Sequence, residues 1–373
     1  MAAAASCDAG KQRKQQTVGP EITILGVNIG PDGRIPVDGA IQIAFDRYLL
    51  PATVNRQSIG IVDGANMPLS PAMAPVVTYD PVARTVTLSR PQAMWLTEGL
   101  PYKLLLAIPE GDAEQGGVRA IDGAKLTAAQ KREFTFIVGP ASGAQLEPKV
   151  SFCRDVQQIF IQKCGTLGTC HASGERAASS LILDTSMGIG ATALNRIAQG
   201  SNTGGRSSTP PSTGRVFGVD MPIIDPGNPG NSWLMYKIDL ARPPVLIAEP
   251  PPCTLPNEPA MPFVFAPLVK QAQRTADDLE RSILSDFILG REMPFPGLSV
   301  GGYADLSLTF DEREKVRIWI AGLAPGAAIP ACFSCLPLVA DAGVPADAGN
   351  EDAADASDAS DAGADAADAA DGD

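Results

Sequence analysis

The residues best suited to chemistry are concentrated in one short run, Cys164-Gly165-Thr166-Leu167-Gly168-Thr169-Cys170-His171. His171 is the single histidine among 373 residues, and it directly follows a cysteine. Two thiols and an adjacent imidazole are what a c-type haem requires. The thiols bond the vinyl groups and the imidazole ligates the iron. The usual attachment signal places two residues between the cysteines. Here the gap is Gly165 to Thr169, and its two glycines leave room for a looped-out segment. The competing reading is a Cys164–Cys170 disulfide closing a small loop, with His171 merely beside it.

The other cysteines are Cys7, Cys153, Cys253, Cys332 and Cys335. Cys332-Phe333-Ser334-Cys335 has the spacing of a redox pair, but no βαβ pattern surrounds it. Zinc would need two more ligands. A structural disulfide, with Cys153 or Cys253 as partner, is the expected fate, and spacing leaves the connectivity open. Such cysteine usage suits an oxidising compartment or a bound cofactor. Hydrolase chemistry finds no support, because a triad would have to use His171 and no Gly-x-Ser-x-Gly elbow precedes a helix. Phosphate loops and dinucleotide-binding glycine patterns are also missing from the sequence. The chain reads as an electron carrier rather than a catalyst.

Three helices are expected to position this run. Phe152, Val156, Ile159 and Phe160 recur at one-face spacing and predict a helix leading into Cys164. A second is predicted over 276–289, with Leu279, Ile283, Phe287 and Ile288 on its buried face. A third begins at Thr309, with Glu312 completing a capping box, and stops at Gly322. Long Pro/Gly loops at 204–214, 226–229 and 243–262 separate them. Such loops suit a domain whose core is partly supplied by a large cofactor.

Residues 20–140 read differently. Segment 40–45 alternates with period two, and 58–62, 85–88, 102–106 and 134–136 are further short strands. Turn signals such as Gly30-Pro31-Asp32-Gly33 and Tyr79-Asp80-Pro81 lie between them, as in a β-sandwich. The stretch resembles the bacterial Ig-like domains of surface-layer and other envelope proteins. The carrying residues are Pro36-Val37-Asp38-Gly39, Phe45-Asp46, Tyr79-Asp80, Thr85-Val86-Thr87-Leu88 and Leu96-Thr97-Glu98-Gly99-Leu100-Pro101-Tyr102. The resemblance implies a spacer or adhesion module without catalysis of its own.

Residues 148–330 resemble the c-type cytochrome domains of myxobacterial and planctomycete envelope proteins. The elements occur in the same order: the Phe152 helix, the Cys164...Cys170-His171 segment, and Leu181-Ile182-Leu183-Asp184. Then come Pro226-Gly227-Asn228-Pro229-Gly230-Asn231-Ser232 leading to Leu234 and Lys237, Met293-Pro294, and Trp319-Ile320-Ala321-Gly322. The resemblance implies haem c attached at Cys164 and Cys170, with His171 as proximal ligand and Met293 as distal ligand. Met221-Pro222 and Met261-Pro262 offer competing methionines in the same context. A thioether opposite imidazole raises the reduction potential and suits electron transfer to a redox partner protein.

The full architecture expected is therefore an N-terminal segment over 1–19, an all-β Ig-like sandwich over 20–140, a mainly α cytochrome-c-like domain over 148–330, and a disordered acidic tail over 340–373. The net charge of −13 is mostly tail: eleven acidic residues and no Lys or Arg lie between Asp341 and Asp373, and without them the balance is −2. A nearly neutral body with no basic stripe excludes nucleic acid as an expected partner. No sequence stretch approaches the ~20 apolar residues of a membrane span. Ala2 to Ser6, Cys7 and the polar run to Lys14 resemble the end of a lipoprotein signal, so Cys7 is a candidate lipid anchor. The expected location is the cell envelope, periplasmic or surface-tethered.

Overall fold

A computed structural model of the chain describes residues 19–30, 32–91, 96–108, 116–143, 147–165, 170–173, 177–198, 220–244, 263–272, 276–288, 292–294, 297–299, 302–304 and 307–332. The N-terminal segment with Cys7, the loops at 204–214 and 245–262 with Cys253 and Met261, and the acidic tail with Cys335 lie outside the described residues.

Eight strands form two four-stranded sheets. The first has the order β1 (Ile24–Val27), β3 (Ile41–Phe45), β6 (Thr85–Ser89), β5 (Val76–Asp80), all antiparallel. The second has the order β2 (Arg34–Pro36), β8 (Glu133–Gly139), β7 (Pro101–Leu106), β4 (Ile59–Asp63), with β2 parallel to β8. The period-two pattern does what the pleat requires. Tyr102, Leu104 and Leu106 of β7 and Ile59 and Ile61 of β4 are buried. They share one apolar cluster with Ile41, Ile43, Val86 and Leu88 of the first sheet. Strand β3 is buried along its whole length, not half-buried as alternation predicts. The reason is a second cover: segment 263–272 crosses its outer face, where Val269 N–H donates to Gln42 Oε1 at 3.2 Å. The three strands β1, β2 and β5 escape sequence reading because each is short or only partly buried.

The helical elements follow. Helix α1 is built of Phe152–Val156, Gln157–Ile159 and Phe160–Cys164, the outer pieces wound with five-residue hydrogen bonds. Then come α2 (Ser186–Thr192), α3 (Trp233–Asp239), α4 (Asp278–Phe287) and α5 (Phe310–Gly322). A short hairpin, β9 (Gly297–Ser299) and β10 (Gly302–Ala304), precedes α5. The predicted capping box closes α5: Glu312 N–H donates to Thr309 Oγ1, and Thr309 N–H donates to Glu312 Oε2. In α4 the predicted face is corrected. Leu279 is 55% exposed while Glu280 is 3% exposed. Glu280 is drawn inward because it pairs with Arg47 of the sandwich and accepts from Tyr48 N–H at 2.9 Å.

Charged residues bind the sheets to the helices. Arg47 pairs with Asp122 at 2.7 Å and with Glu280, all three buried. The β5–β6 turn carries Asp80 and Arg84, and its Val82 sits in the apolar cluster of α1, α3 and α5. Asp80 caps its own turn, accepting from Val82 and Ala83 N–H, and faces Arg317 of α5 at 3.3 Å. Arg317 also pairs with Glu314 at 2.6 Å and Glu147 at 2.7 Å. Arg313 ties α5 to Asp239 of α3 at 3.3 Å and donates to the Ala241 carbonyl. Gly230, before α3, lies so close to Tyr79 that a Cβ would stand 2.7 Å from the tyrosine Cβ. Described residues on both sides of positions 140–148 thus share buried contacts.

Burial pushes the carboxyls of Asp80, Glu280 and Glu314 above their usual range, against the pull of the arginines. Asp239 is raised to about 6 by burial, with Arg313 opposing. A carboxyl raised in the fold contributes stability that is complete below its unfolded value of 3.8 and is lost as pH rises through about 6. His171, whose value burial lowers, has the opposite sign. The test therefore compares two slopes. Between pH 7.5 and 5, the wild type is expected to gain roughly 1–2 kcal/mol relative to Asp239→Asn in urea unfolding. Parallel pH profiles for the two proteins would show that Asp239 is not held as described.

Candidate functional site

The Cys164–His171 run begins where α1 ends. Gly165 N–H donates back to the Phe160 carbonyl at 2.7 Å, finishing the helix. Both ends of α1 are pinned. Cys153 in its first turn is bonded to Cys332, beyond α5. At the other end Lys163 Nζ donates to Glu312 Oε2 at 2.6 Å and to the Ser307 carbonyl at 2.9 Å. Between these points Trp319 of α5 packs at a tilt against Phe152 at 5.1 Å and meets Phe160 edge-on at 6.0 Å. Sequence periodicity finds this packing, since the apolar positions of α1 and the Trp-Ile pair of α5 are its components.

His171 is set by backbone on both sides. Its N–H donates to the Cys164 carbonyl at 2.9 Å, and its carbonyl accepts from Leu183 N–H at 2.8 Å. The Leu181-Ile182-Leu183-Asp184 segment is therefore the second wall of the site. Asp184 Oδ2 accepts from the Ser173 N–H and hydroxyl, closing the loop after the histidine. Nδ1 of His171 lies 3.3 Å from the Leu181 carbonyl oxygen. A carbonyl only accepts, so at this contact the ring donates from Nδ1. Burial lowers the imidazole pKa against hydrogen bonds to the Leu181 and Ala178 backbone, with the Lys237 charge adding to the lowering, and so favours the neutral ring. A neutral imidazole whose second nitrogen is tied to a backbone carbonyl is the form a metal-ligating histidine takes.

Neither Cys164 nor Cys170 is in a disulfide, which corrects the expectation of a Cys164–Cys170 bridge. The bridge formed is Cys153–Cys332. The two thiols of the run differ in setting: Cys164 is buried in the apolar cluster, while Cys170 is exposed. Burial, then the neighbouring Cys170, pushes the Cys164 thiol up to about 12.

Met293 is half-buried, and its N–H donates to the Lys237 carbonyl of α3 at 3.0 Å. The structure thus brings Met293 to the helix whose Lys237 charge acts on His171. Met221 is buried instead in the cluster of the β-sandwich, with Trp233 and Tyr236. Met235, fully buried in the cluster of Cys164, stands in no Met-Pro context and gives no sequence signal. The roles of Leu181 and Lys237 were equally illegible, because one acts through its carbonyl and the other through a distant charge. Cys164, Cys170, His171 and Met293 are the donor types that haem c uses, namely two thiols, an imidazole and a thioether. Among the described residues no group of three or more His, Cys, Asp or Glu is arranged to hold a bare metal ion. Nor is any helix long and apolar enough to cross a membrane.

No family model matches this chain, and no curated protein matches it. Solved structures similar to it include the S-layer protein rSbsC(31-844), at 11% identity over 36% of this chain and 16% of that one, with a TM-score of 0.23. The N-terminal part of the bacterial S-layer protein SbsC matches at 12% identity over 36% and 27%, with a TM-score of 0.23. The E. coli alpha-2-macroglobulin matches at 17% over 39% and 7%, again at 0.23. The chain spans less than a third of the length of each, and likenesses this low carry no argument about fold or function.

The contrast between the two thiols is directly measurable. At pH 8 a maleimide is expected to label Cys170 in the native protein and Cys164 only after unfolding, because the thiolate is the reactive form. Equal rates at both positions would contradict the burial of Cys164.

Proposed function

We propose that this chain is an extracytoplasmic structural or adhesion protein, a β-sandwich locked to a helical layer. The Cys153–Cys332 bridge carries the reading. It joins positions 179 residues apart, and such bridges form and persist in oxidising compartments. In the chain-entropy model, closing a loop of that length restrains the unfolded chain by about 5 kcal/mol. The buried pairs of Arg47, Arg313 and Arg317 support the same picture of a rigid spacer. A cell-envelope location and a lipid tether at Cys7 belong to this reading.

The setting of His171 favours a second reading, electron transfer by haem c. In it Cys164 and Cys170 would hold the group by thioether bonds, and His171 and Met293 would supply its iron ligands. The bound group would supply a one-electron couple, raised by the thioether ligand. The chain's own part is to fix the imidazole tautomer through the Leu181 carbonyl. Phe152, Phe160 and Trp319 exclude water from the cluster beneath Cys164.

One preparation tests both readings. The full chain is exported to the periplasm of a host with c-type haem maturation, then mapped without reduction. The structural reading expects Cys153–Cys332 linked peptides, alkylated Cys164 and Cys170, and no haem stain in a denaturing gel. The haem reading expects a covalent haem mass that disappears in Cys164→Ser/Cys170→Ser. Finding Cys153 and Cys332 reduced in protein from its native compartment would overturn the first.

A further inference from the structure

The charges where the β5–β6 turn meets α5 do not cancel. Among the described residues, the cations there are Arg84 of the turn and Arg313 and Arg317 of α5. Facing these three arginines are four carboxyls, those of Asp80, Asp239, Glu314 and Glu147. Glu147 is partly exposed, and the other six are buried. Tyr48, Tyr79 and Tyr236 border the group, and burial holds their phenols protonated. We propose that Asp80 and Glu314 share one proton, and that this pair is a latch between the sandwich and α5 which alkali opens.

The geometry around Arg317 leaves one hydrogen for two acids. Its Nε bears a single N–H. Glu314 Oε2 lies 2.6 Å from that nitrogen and Asp80 Oδ2 lies 3.3 Å from it. The Nη2 side is taken by Glu147 at 2.7 Å. Asp80 Oδ1 already accepts from Val82 N–H at 2.9 Å and Ala83 N–H at 3.1 Å, which favours its ionised form. Glu314 has no such support. It is fully buried, and its Oε1 has no hydrogen-bond partner among the described residues. Two carboxyl groups crowded on one N–H in a dry site resist ionising together, so one proton stays between them. Burial, with the Asp80 charge adding to it, raises Glu314 above the usual carboxyl range against the pull of Arg317. The shared proton therefore rests mainly on Glu314.

Hydroxide takes that proton as water. Two carboxylates then face one N–H, one on the sandwich turn and one on α5, and their repulsion acts to part the layers. By linkage, a carboxyl raised in the fold contributes stability that is complete below its unfolded value and is lost as pH climbs through its folded value. Trp319 lies on the same helix as Glu314 and packs against Phe152, so opening the latch also loosens α1. The latch belongs to the seam and not to Cys164 or His171, so it holds with or without haem.

The first test is urea unfolding of the full chain, bridge intact, between pH 6 and 10, for wild type and Glu314→Gln. The amide keeps the shape of the protonated acid and cannot ionise. The folded-to-unfolded ratio of wild type is expected to fall relative to Glu314→Gln by about 10-fold per pH unit while the folded pair keeps its proton, then to level off. Parallel profiles would overturn the latch. The second test needs no change at Glu314: carbon-13 NMR of protein labelled at the glutamate side-chain carboxyls. One carboxyl is expected to be still protonated at pH 7, with a midpoint that moves down in Asp80→Asn because the opposing charge is gone. Glu280, also raised, pairs with Arg47 instead, and the response to Asp80→Asn tells the two apart. No protonated glutamate at pH 7, or a midpoint untouched by Asp80→Asn, would each overturn the proposal.

Discussion

Arg317 reaches from the last helix to the turn between β5 and β6, and the charges gathered there must be satisfied by both layers at once. Three carboxyls face it, those of Asp80, Glu314 and Glu147, and the first two are buried with it. Removing Asp80 or Arg317 alone would leave its buried counterpart short of a partner inside the closed seam, which costs several kcal/mol. Arg84, fully buried at the same turn, lies over the Tyr48 ring at 5.6 Å. Arg47 and Glu280 repeat the arrangement at the other side of the seam. These contacts explain why a turn tip, normally solvated, sits inside a protein core. They also explain why the sandwich cluster contains Trp233, Ile283 and Phe287 from the helical half.

The candidate site inherits its rigidity from this seam. Arg317 and Trp319 lie on one helix, so the residue that secures the sandwich and the ring that packs on α1 move together. α1 in turn ends at Cys164, whose carbonyl receives the His171 N–H. The opposite wall, Leu181 to Asp184, is tied to the run by its own backbone. A histidine held at both its peptide groups and at Nδ1 has its tautomer chosen by the fold.

Much of this was legible from residue types. The short strands at 58–62, 85–88 and 102–106, the Phe152 periodicity and the Thr309–Glu312 box correspond to observed elements, because each depends on neighbours within a few positions. The buried charges were not legible. Glu280 and Arg47 are 233 positions apart, and nothing in either local sequence marks them as partners. The same limit applied to the cysteines. Spacing offered Cys153 and Cys253 as partners for the Cys332 pair without choosing between them, and the fold brings Cys153 to Cys332. Leu279 looked like a core position on apolarity alone, and it lost that place to a glutamate with an arginine waiting for it.

The most direct test of the seam is calorimetry of the full chain with the Cys153–Cys332 bridge reduced, so that the covalent clasp cannot enforce cooperativity. If the charged seam joins sheets and helices into one body, unfolding is a single transition with equal calorimetric and van't Hoff enthalpies. With Trp95→Phe removing the third tryptophan, fluorescence of Trp233 and Trp319 would then report the same midpoint as the β-sheet circular dichroism. Two separated transitions, one for the sandwich and one for the helices, would contradict it.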